Sequence, residues 1–338
     1  MWMVTNRTPY ATERTWVRDK HGRHHWVVVV KATFGFDQRG VVHLADEQQL
    51  PLLEPEHFGD AGFSSLRYDA DLVAMKPTTD LTVNATAHAP NDRPVFELPV
   101  SVQIERSSKQ LLVRGQTVYE RRGPGIRLSS PEPFTRRPIR YEHSYGGTDT
   151  TDADPRNHRF DTRNPVGCGI SARPFHLLGR SGPSIFYRGG DPARVGPAGF
   201  GALASHWSPR LELAGTYDDA WFRQRRPLLP SDYEDTALLS APVDQRPARR
   251  LRGGEVIVLT NLSPSGSLVL ELPKLCIVCR THFAGRAHSE DLRCALSTVT
   301  IEPDEGQLIM VWQSAQAVAN RDIDYLDYSM IWEKPYLR

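Results

Sequence analysis

The segment HHWVVVVKATFGFD, residues 24–37, constrains the fold most strongly, because β-branched and aromatic side chains dominate it. Such side chains favour strands, and an uninterrupted valine run is typical of a strand that is buried on both faces. The polar turn Asp37-Gln38-Arg39-Gly40 follows and leads into VVHL. The sequence therefore predicts a central strand that a hairpin turn joins to a shorter partner.

Further strand patterns follow in the first third of the chain. LTVNATAHAP, residues 81–90, places four apolar side chains on one face: Leu81, Val83, Ala85 and Ala87. Residues 95–121 contain two strand patterns around the polar turn Ser107-Ser108-Lys109. No helical period separates these segments, so the pattern favours antiparallel sheets over alternating strand–helix units.

The last third of the chain returns to the same pattern. Three strand-like segments follow one another: EVIVLTNL (255–262), SLVLELP (267–273) and KLCIVCRTHF (274–283). A hairpin pattern over residues 294–314 follows, with Pro303-Asp304-Glu305-Gly306 as its turn. The fold class that we predict is mainly β, with antiparallel, sandwich-like sheets.

The centre of the chain differs in composition. Between Gly123 and Gly201, 23 of 79 residues are Gly or Pro, which is about twice their share of the whole chain. Long irregular stretches inside domains are usually functional or disordered, and the interspersed aromatic residues argue against disorder. We therefore predict a loop-rich central region over residues 123–250. The flanking β regions, 1–122 and 251–338, are expected to pack together as one unit.

One short helix is predicted within the central region, over residues 217–226. Thr216 and Asp219 have the spacing of a capping box. Acidic residues follow at the start of the pattern and arginines at its end, as the helix dipole favours. Tyr217 and Trp221 are about one turn apart, so we expect them to share a face of this helix.

Charge and cysteine content narrow the classes of function. The net charge is +1, which gives no reason to expect the whole chain to capture nucleic acid or an anionic membrane. The N-terminal residues lack the apolar core of a secretory signal, and the four cysteines do not form a dense disulfide framework. We therefore expect a cytoplasmic protein with reduced thiols.

A metal site is one alternative role for the cysteines. Cys276, Cys279 and His282, followed by His288 and Cys294, can be arranged as a set of zinc ligands. LCIVCRTHF nevertheless alternates like a strand, which would point the first two cysteines to opposite faces. We therefore expect buried thiols, and neither a metal nor another cofactor.

A cysteine nucleophile is a second alternative. Cys168 lies between two glycines, with His143 and His158 upstream, so a hydrolase-like enzyme with a Cys–His pair is conceivable. Flanking glycines more often mark a turn, and we expect no catalytic site here. A carbohydrate-binding β module is the third alternative, because aromatic residues suited to sugar platforms are interspersed in the centre.

The order of several motifs resembles a known bacterial family. Seven fragments carry the resemblance, in this order: YGG (145–147), RNPVGCG (163–169), GFGALASHWSPR (199–210), AGTYDDAW (214–221), PLLPSDY (227–233), APVDQ (241–245) and LRGGEVIVLTNL (251–262). Over roughly residues 23–312, the chain resembles the family called domain of unknown function 2169. Members of that family accompany type VI secretion effectors.

The resemblance implies a non-enzymatic adaptor, or effector chaperone. Such a protein binds a toxin effector and assists its loading onto the secretion spike, so the implied partners are the effector and the spike protein or its tip. The resemblance provides no catalytic residues. Because Arg, Tyr and Trp often anchor interfaces, we predict these partner-binding residues: Tyr145, Arg163, Asn164, Trp207, Arg210, Tyr217 and Trp221.

A structural role is the alternative for these side chains. Gly and Pro near Arg163 and Asn164 dictate backbone geometry, so both residues can serve only to brace the fold. Trp207, Tyr217 and Trp221 can equally be core residues, as large aromatic side chains often are.

Overall fold

The computed structural model describes residues 2–285 and 290–335. Strands dominate it, and long irregular segments join them in the centre of the chain. Within these ranges no helix is both long enough and apolar enough to cross a membrane. His288, one of the candidate zinc ligands, lies outside the described residues.

The first third of the chain consists mainly of strands. Their bounds are β1 Met3–Asn6, β2 Ala11–Arg18, β3 His24–Phe36, β4 Val42–Leu44, β5 Glu56–His57, β6 Leu66–Tyr68, β7 Asp80–Val83, β8 Thr86–His88, β9 Glu97–Ile104, β10 Ser107–Arg114, β11 Tyr119–Arg122 and β12 Gly125–Leu128. A 3-10 helix, Pro90–Asp92, precedes β9. The predicted central strand is β3, and the predicted turn joins it to β4 as an antiparallel pair.

The central region has short elements only. Its strands are β13 Arg136–Pro138, β14 Tyr145–Gly146, β15 Thr148–Asp149, β16 Arg159–Phe160, β17 Cys168–Gly169 and β18 Ile185–Tyr187. Its α-helices are α1 Pro192–Val195, α2 Arg210–Leu213 and α3 Asp219–Gln224. Single turns of 3-10 helix occur at Tyr141–His143, Pro155–Asn157, Pro174–Leu177, Asp235–Leu238 and Val243–Gln245.

The last third consists of strands again. Their bounds are β19 Val256–Thr260, β20 Ser267–Glu271, β21 Cys276–Phe283, β22 Asp291–Arg293, β23 Ala295–Glu302, β24 Gln307–Val318 and β25 Leu326–Lys334. The 3-10 helix Asn320–Tyr325 precedes β25. The predicted turn at residues 303–306 joins β23 to β24. The predicted fold class, mainly β with an irregular centre and few short helices, is confirmed.

The six-stranded sheet contains the central strand. Its order is β2-β3-β24-β23-β7, and β4 pairs with the end of β3. Val28 and Val30 face the main core, whereas Val27 and Val29 pack with Val311 on the opposite face. The valine run is therefore buried on both faces, as the sequence predicts.

The five-stranded sheet has the order β18-β10-β9-β19-β20. The turn between β9 and β10 lies at Glu105 and Arg106, where Glu105 has a φ of 49°. The predicted turn at Ser107-Ser108-Lys109 is wrong, because these residues begin β10. Their polarity is misleading, since Lys109 points inwards and is buried against an acidic partner.

The four-stranded sheet joins the two ends of the chain, in the order β1-β25-β21-β22. Within it β1 runs parallel to β25, and parallel pairs also link β7 with β23 and β14 with β17. The prediction of antiparallel pairing therefore holds for most strands but not for these. Each parallel pair joins segments distant in sequence, which local patterning does not reveal.

The alternating segment at 81–90 is two strands rather than one. β7 pairs with β23, whereas β8 pairs with β13 and so belongs to a different sheet. Asn84, between them, donates a hydrogen bond from its side chain to the carbonyl of Arg67 at 2.9 Å. Ala85 and Ala87 are nevertheless buried, as their alternation predicts.

One large hydrophobic cluster connects the three main sheets. Leu81, Ile257 and Ile277, one from each sheet, belong to it and are fully buried. The central region is tied to this core by Asp80, which forms a buried ion pair with Lys76 at 2.8 Å. The same carboxylate accepts hydrogen bonds from the backbone N–H groups at positions 240 and 241. The irregular centre therefore packs directly on the β core.

Candidate functional site

The helix α3 contains no buried residue. Tyr217, which precedes it, is 54% exposed, and Phe222 within it is 57% exposed. The ring of Trp221 meets that of Tyr217 edge to face, with centroids 4.7 Å apart. The guanidinium of Arg226 lies 5.2 Å from the centroid of the Phe222 ring. We call Tyr217, Trp221 and Phe222 the aromatic surface of α3.

Polar contacts, rather than burial, hold α3 in place. The side chain of Asp218 accepts a hydrogen bond from the backbone N–H of Trp221 at 2.8 Å and so caps the helix. The indole Nε1 of Trp221 donates to the carbonyl of Leu228 at 2.8 Å. Arg225 donates to the carbonyl of Lys20 at 2.5 Å, which ties the helix to the segment after β2. The aromatic surface is therefore displayed on an anchored frame.

The predicted start of this helix and its capping box are wrong. The helix begins at Asp219, two residues later than predicted, and its N-cap is Asp218. Thr216 instead donates to the carboxylate of Asp232, from its N–H at 3.0 Å and from its Oγ1 at 2.7 Å. Asp232 is 16 residues from Thr216, so the local sequence does not reveal that the Thr216 side chain bonds to it and does not cap the helix. Tyr217, which the sequence predicts to share a face of the helix with Trp221, lies before the helix, but its ring does contact that of Trp221.

A largely apolar groove of about 450 Å³ lies elsewhere in the central region. Tyr141, Tyr187 and Pro209 contribute to its lining, together with the exposed side chains of Val195 and Val243. The groove also has two charged residues in its lining, Arg163 and Asp244. Such a groove is large enough for one apolar side chain with its backbone.

Asp244 is fixed by a lysine that lies inside the protein. Lys109 Nζ is 2.9 Å from the Asp244 carboxylate and 5.4 Å from the centroid of the Tyr187 ring. The lysine side chain is 2% exposed, whereas that of Asp244 is 44% exposed. Burial lowers the pKa of Lys109 to about 8, although Asp244 acts in the opposite direction. Burial also raises the pKa of Tyr187, which hydrogen-bonds to Asp244.

Arg163 and Tyr145 are the partly exposed members of the predicted set in this region. Arg163 donates to Asp161 through Nε at 2.9 Å and Nη2 at 2.6 Å. The ion pair raises the pKa of Arg163, whose side chain is 35% exposed. Tyr145 lies on β14 and is half-buried, and burial raises the pKa of its hydroxyl. Arg163 therefore braces its own loop and also faces the groove.

Three of the predicted partner-binding side chains are buried. Asn164 is fully buried and donates from Nδ2 to the carbonyl of Tyr141 at 2.8 Å. Trp207 is 1% exposed and packs edge to face on the Tyr141 ring, with centroids 5.6 Å apart. Arg210 is 4% exposed and pairs with Asp69 at 2.9 Å. In this structure these three side chains serve the interior, as the alternative structural role expects, and their contact with a partner stays a prediction.

The glycine motifs around Asn164 shape the backbone. β14 and β17 pair in parallel, which brings Tyr145 opposite Cys168. Gly147 has a φ of 114°, and a Cβ there would lie 2.6 Å from the carbonyl oxygen of Gly167. A side chain at this position is excluded by both the backbone conformation and the close approach.

Sequence reasoning missed several residues of these sites. Phe222 follows Trp221 directly in the sequence. This pair of adjacent aromatic residues is the signal that could have identified Phe222 as part of the site. Lys109 and Asp244 carry no local signal, because they are 135 residues apart and meet only through the fold. The groove is likewise assembled from separate segments of the central region.

A comparison with models of protein families identifies the family of this chain. A model of the family described as "Uncharacterized protein conserved in bacteria (DUF2169)" matches residues 21–313. The chain belongs to this family. The matched range includes all the predicted partner-binding residues of this DUF2169 protein, and the resemblance noted in its sequence is confirmed at the level of the family. No curated protein and no solved structure matches the chain.

The cysteine near the glycine motif of this DUF2169 protein, Cys168, lies in a buried environment. Cys168 Sγ donates to the carbonyl of Ser144 at 3.6 Å, and burial raises the pKa of its thiol to about 12. Burial lowers the pKa of His143. Within the described residues, no hydrogen bond joins Cys168 to His143 or to His158. Burial therefore disfavours the thiolate, which is the form that a cysteine nucleophile uses.

The other cysteines of the DUF2169 chain lie in or beside strands. Cys276 and Cys279 both belong to β21, and their spacing places them on opposite faces, as expected. His282 stacks on Tyr328, with ring centroids 4.4 Å apart. Over residues 2–285 and 290–335, no group of three or more His, Cys, Asp or Glu side chains has an arrangement suited to a metal ion.

Proposed function

We propose that this DUF2169 protein is a non-enzymatic adaptor that binds a type VI secretion toxin effector and assists its loading onto the secretion spike. The observation that carries the proposal is the aromatic surface of α3, where Tyr217, Trp221 and Phe222 are displayed on a helix with no buried residue. A cytoplasmic location belongs to the same proposal, because loading precedes export.

Exposed aromatic rings are a source of binding energy. Burying the exposed half of a ring such as Phe222 stabilises a complex by about 2 kcal/mol. Tyr and Trp are also the residue types that most often dominate interface energetics. On the same helix the exposed side chains of Asp219 and Arg223 supply the polar rim that surrounds a typical interface core.

The groove beside Arg163 supports the proposal as a second contact. The surface that α3 alone can offer is smaller than the area of about 800 Å² that each partner contributes to a standard interface. The exposed apolar side chains Val195 and Val243 offer a place for an apolar side chain of the effector. Arg163 and Asp244 in its lining can orient the backbone of the bound segment.

Co-purification and affinity measurements test the proposal. The protein is expressed with the toxin effector encoded beside it in its own host, and binding is measured by calorimetry. We expect Phe222→Ser to weaken binding at least tenfold, because it removes an apolar anchor from the aromatic surface. Phe96→Ser is the matched control, since Phe96 is also 57% exposed but lies outside α3.

Two results would contradict the proposal. One is that neither an effector nor a spike component co-purifies with the wild-type protein from its native host. The other is that an effector binds but Phe222→Ser and Phe96→Ser weaken the complex equally, which would remove the aromatic surface of α3 from the interface.

A further inference from the structure

A second cavity, of about 260 Å³, combines positive charge with an apolar lining. Arg250, Arg252 and Arg293 contribute the charge, while Leu275, Leu296 and Trp312 contribute apolar surface. Among the described residues, none of the side chains that line the cavity is acidic. The lining comes from the segment before β19, from the segment before β21, and from β22, β23 and β24.

The environment of Arg250 is the central observation, because within residues 2–285 and 290–335 its half-buried charge has no acidic partner. Its guanidinium donates to the carbonyl of Leu296 at 3.1 Å and to the carbonyl of Lys76. Among the described residues, no carboxylate forms an ion pair with it. Burial lowers the pKa of Arg250.

The fully buried lysine and arginine side chains in the described part of the chain have carboxylate partners. The pairs are Lys31–Asp71, Lys76–Asp80, Lys109–Asp244 and Arg210–Asp69, with distances of 3.0, 2.8, 2.9 and 2.9 Å. A charge withdrawn from water is costly unless it is paired. Arg250, like Arg137 and Arg246, is only half-buried and forms no ion pair within the described residues, but of these three it is the one that lines this cavity.

We propose that this cavity binds a carboxylate or phosphate group that is attached to a small apolar moiety. The guanidinium of Arg250 supplies the charge inside, and Arg252 supplies an exposed charge in the same lining. Guanidinium groups match the geometry of both oxyanions, because they donate two parallel hydrogen bonds. Leu275, Leu296 and Trp312 then contact the apolar part of the ligand.

The size of the cavity limits the ligand. Pockets for drug-sized molecules span about 300–1,000 Å³, which is larger than this cavity. A single acidic side chain of a partner protein, or a small free anion, therefore fits better than a nucleotide. Glu255, close in sequence to Arg252, accepts hydrogen bonds from the backbone N–H groups of residues 252 and 253. It therefore helps to hold the loop on which Arg252 lies.

Thermal unfolding with defined anions tests this proposal, which is independent of the adaptor function. The probes are inorganic phosphate, 4-methylpentanoate and N-acetyl-leucyl-glutamic acid amide, each compared with chloride at equal ionic strength. At a concentration about ten times its dissociation constant, a bound probe is expected to raise the unfolding midpoint by roughly 2 °C. Chloride is expected to have no such effect.

Variants locate the effect. We expect Arg252→Ala to weaken probe binding about tenfold, because it removes one charge-assisted contact. Arg250→Met is expected to abolish the effect. Arg122→Ala is the control, since Arg122 is also exposed and lies outside the cavity. Arg252 is exposed, so its variant remains informative if Arg250→Met fails to fold.

Each outcome decides the proposal. Preferential stabilisation by 4-methylpentanoate supports a free anion as the ligand, whereas preference for the acidic dipeptide supports a side chain of a partner protein. Stabilisation by inorganic phosphate alone, which has no apolar part, contradicts a ligand with an apolar moiety. The proposal is overturned if no probe exceeds chloride. It is also overturned if Arg252→Ala and Arg122→Ala respond to the probes like the wild-type protein.

Discussion

Lys109 shows, at the scale of single residues, how one buried charge depends on one exposed partner. Its ammonium group is enclosed by the rings of Tyr187 and Phe200, and its ion-pair partner is Asp244. The two members of this pair have unequal environments, because only Asp244 reaches solvent. The loss of the Asp244 carboxylate is therefore expected to change stability by a different amount than the loss of the Lys109 ammonium group.

We expect Asp244→Asn to lower the free energy of unfolding by about 3–4 kcal/mol, because it leaves a buried ammonium group unpaired. Lys109→Met is expected to cost less than about 1 kcal/mol, since the remaining carboxylate is partly exposed and methionine fills the space. Urea unfolding of the two variants measures the difference. Equal losses for both would show that Lys109 is not buried as described.

The same lysine predicts a pH dependence. Its pKa is about 8 in the folded protein and 10.5 when unfolded, so the folded state releases the proton first as the pH rises. The unfolded state then binds more protons, and stability increases with pH in this window. Between pH 8 and 9.5 the gain is about 1–2 kcal/mol.

Lys109→Met provides the comparison for this pH dependence. The variant lacks the titrating ammonium group, so its urea stability is expected to lack the rise attributed to Lys109 over the same window. Identical pH profiles for the two proteins would contradict the assignment to Lys109.

At the scale of residues, the sequence indicated which residue types are suited to partner binding, but it did not indicate which of them are exposed to solvent. The fragment RNPVGCG pointed to Arg163 and Asn164 together, yet Arg163 faces a groove and Asn164 is buried. Neighbouring residues in an irregular segment have no period that separates inside from outside. Which of them contacts solvent depends on distant segments, such as Tyr141, that the local sequence does not specify.

At the scale of elements, α3 is held by a few polar contacts. It can therefore open locally while the core remains folded. Trp221→Phe removes the hydrogen bond from the indole Nε1 to the carbonyl of Leu228 but retains an aromatic ring. We expect faster amide hydrogen exchange at residues 219–228 and a change of less than about 1 °C in the global unfolding midpoint. Hydrogen exchange with mass spectrometry measures the first, and calorimetry the second.

Trp207→Phe is the matched control for this element. Trp207 is 1% exposed, so the same substitution leaves a cavity in the interior and lowers the unfolding midpoint. A global loss of stability in Trp221→Phe as large as that in Trp207→Phe would show that α3 is part of the cooperative core.

The long strands were predictable because their side chains have a strong period and many β-branched residues. β3, β19, β20 and the hairpin of β23 with β24 lie where the sequence places them. The errors occur where a polar side chain is satisfied by a distant partner. The polar Lys109 is paired with Asp244 inside the fold, although its position in the sequence indicated a turn. The Thr216 side chain donates to Asp232 and therefore does not form the predicted helix cap.

At the scale of the whole molecule, each large sheet contains strands from distant parts of the chain. β24 lies between β3 and β23, and β19 pairs with β9. A fragment of residues 1–250 would therefore lose the neighbour that buries one edge of β3. Sequence patterns located these strands, but they could not supply the pairing, because strand order depends on contacts across the entire chain.

We expect the fragment 1–250 to be unfolded or insoluble, since it lacks β24 from the middle of the six-stranded sheet. Circular dichroism and solubility after expression measure this outcome. Co-expression with a fragment of residues 251–338 is expected to restore soluble material by re-forming the shared sheets. A cooperatively folded 1–250 fragment on its own would show that the sheets are less dependent on each other than described.

The position of β24 also has a consequence during synthesis. Positions 36 and 307, the end of β3 and the start of β24, are 271 residues apart. A ribosome therefore produces the valine-rich strand long before its neighbour exists, and such distant pairing slows folding. The nascent polypeptide has to remain protected from aggregation throughout that delay. Its yield in a cell should accordingly depend on the general chaperones that shield unfinished chains.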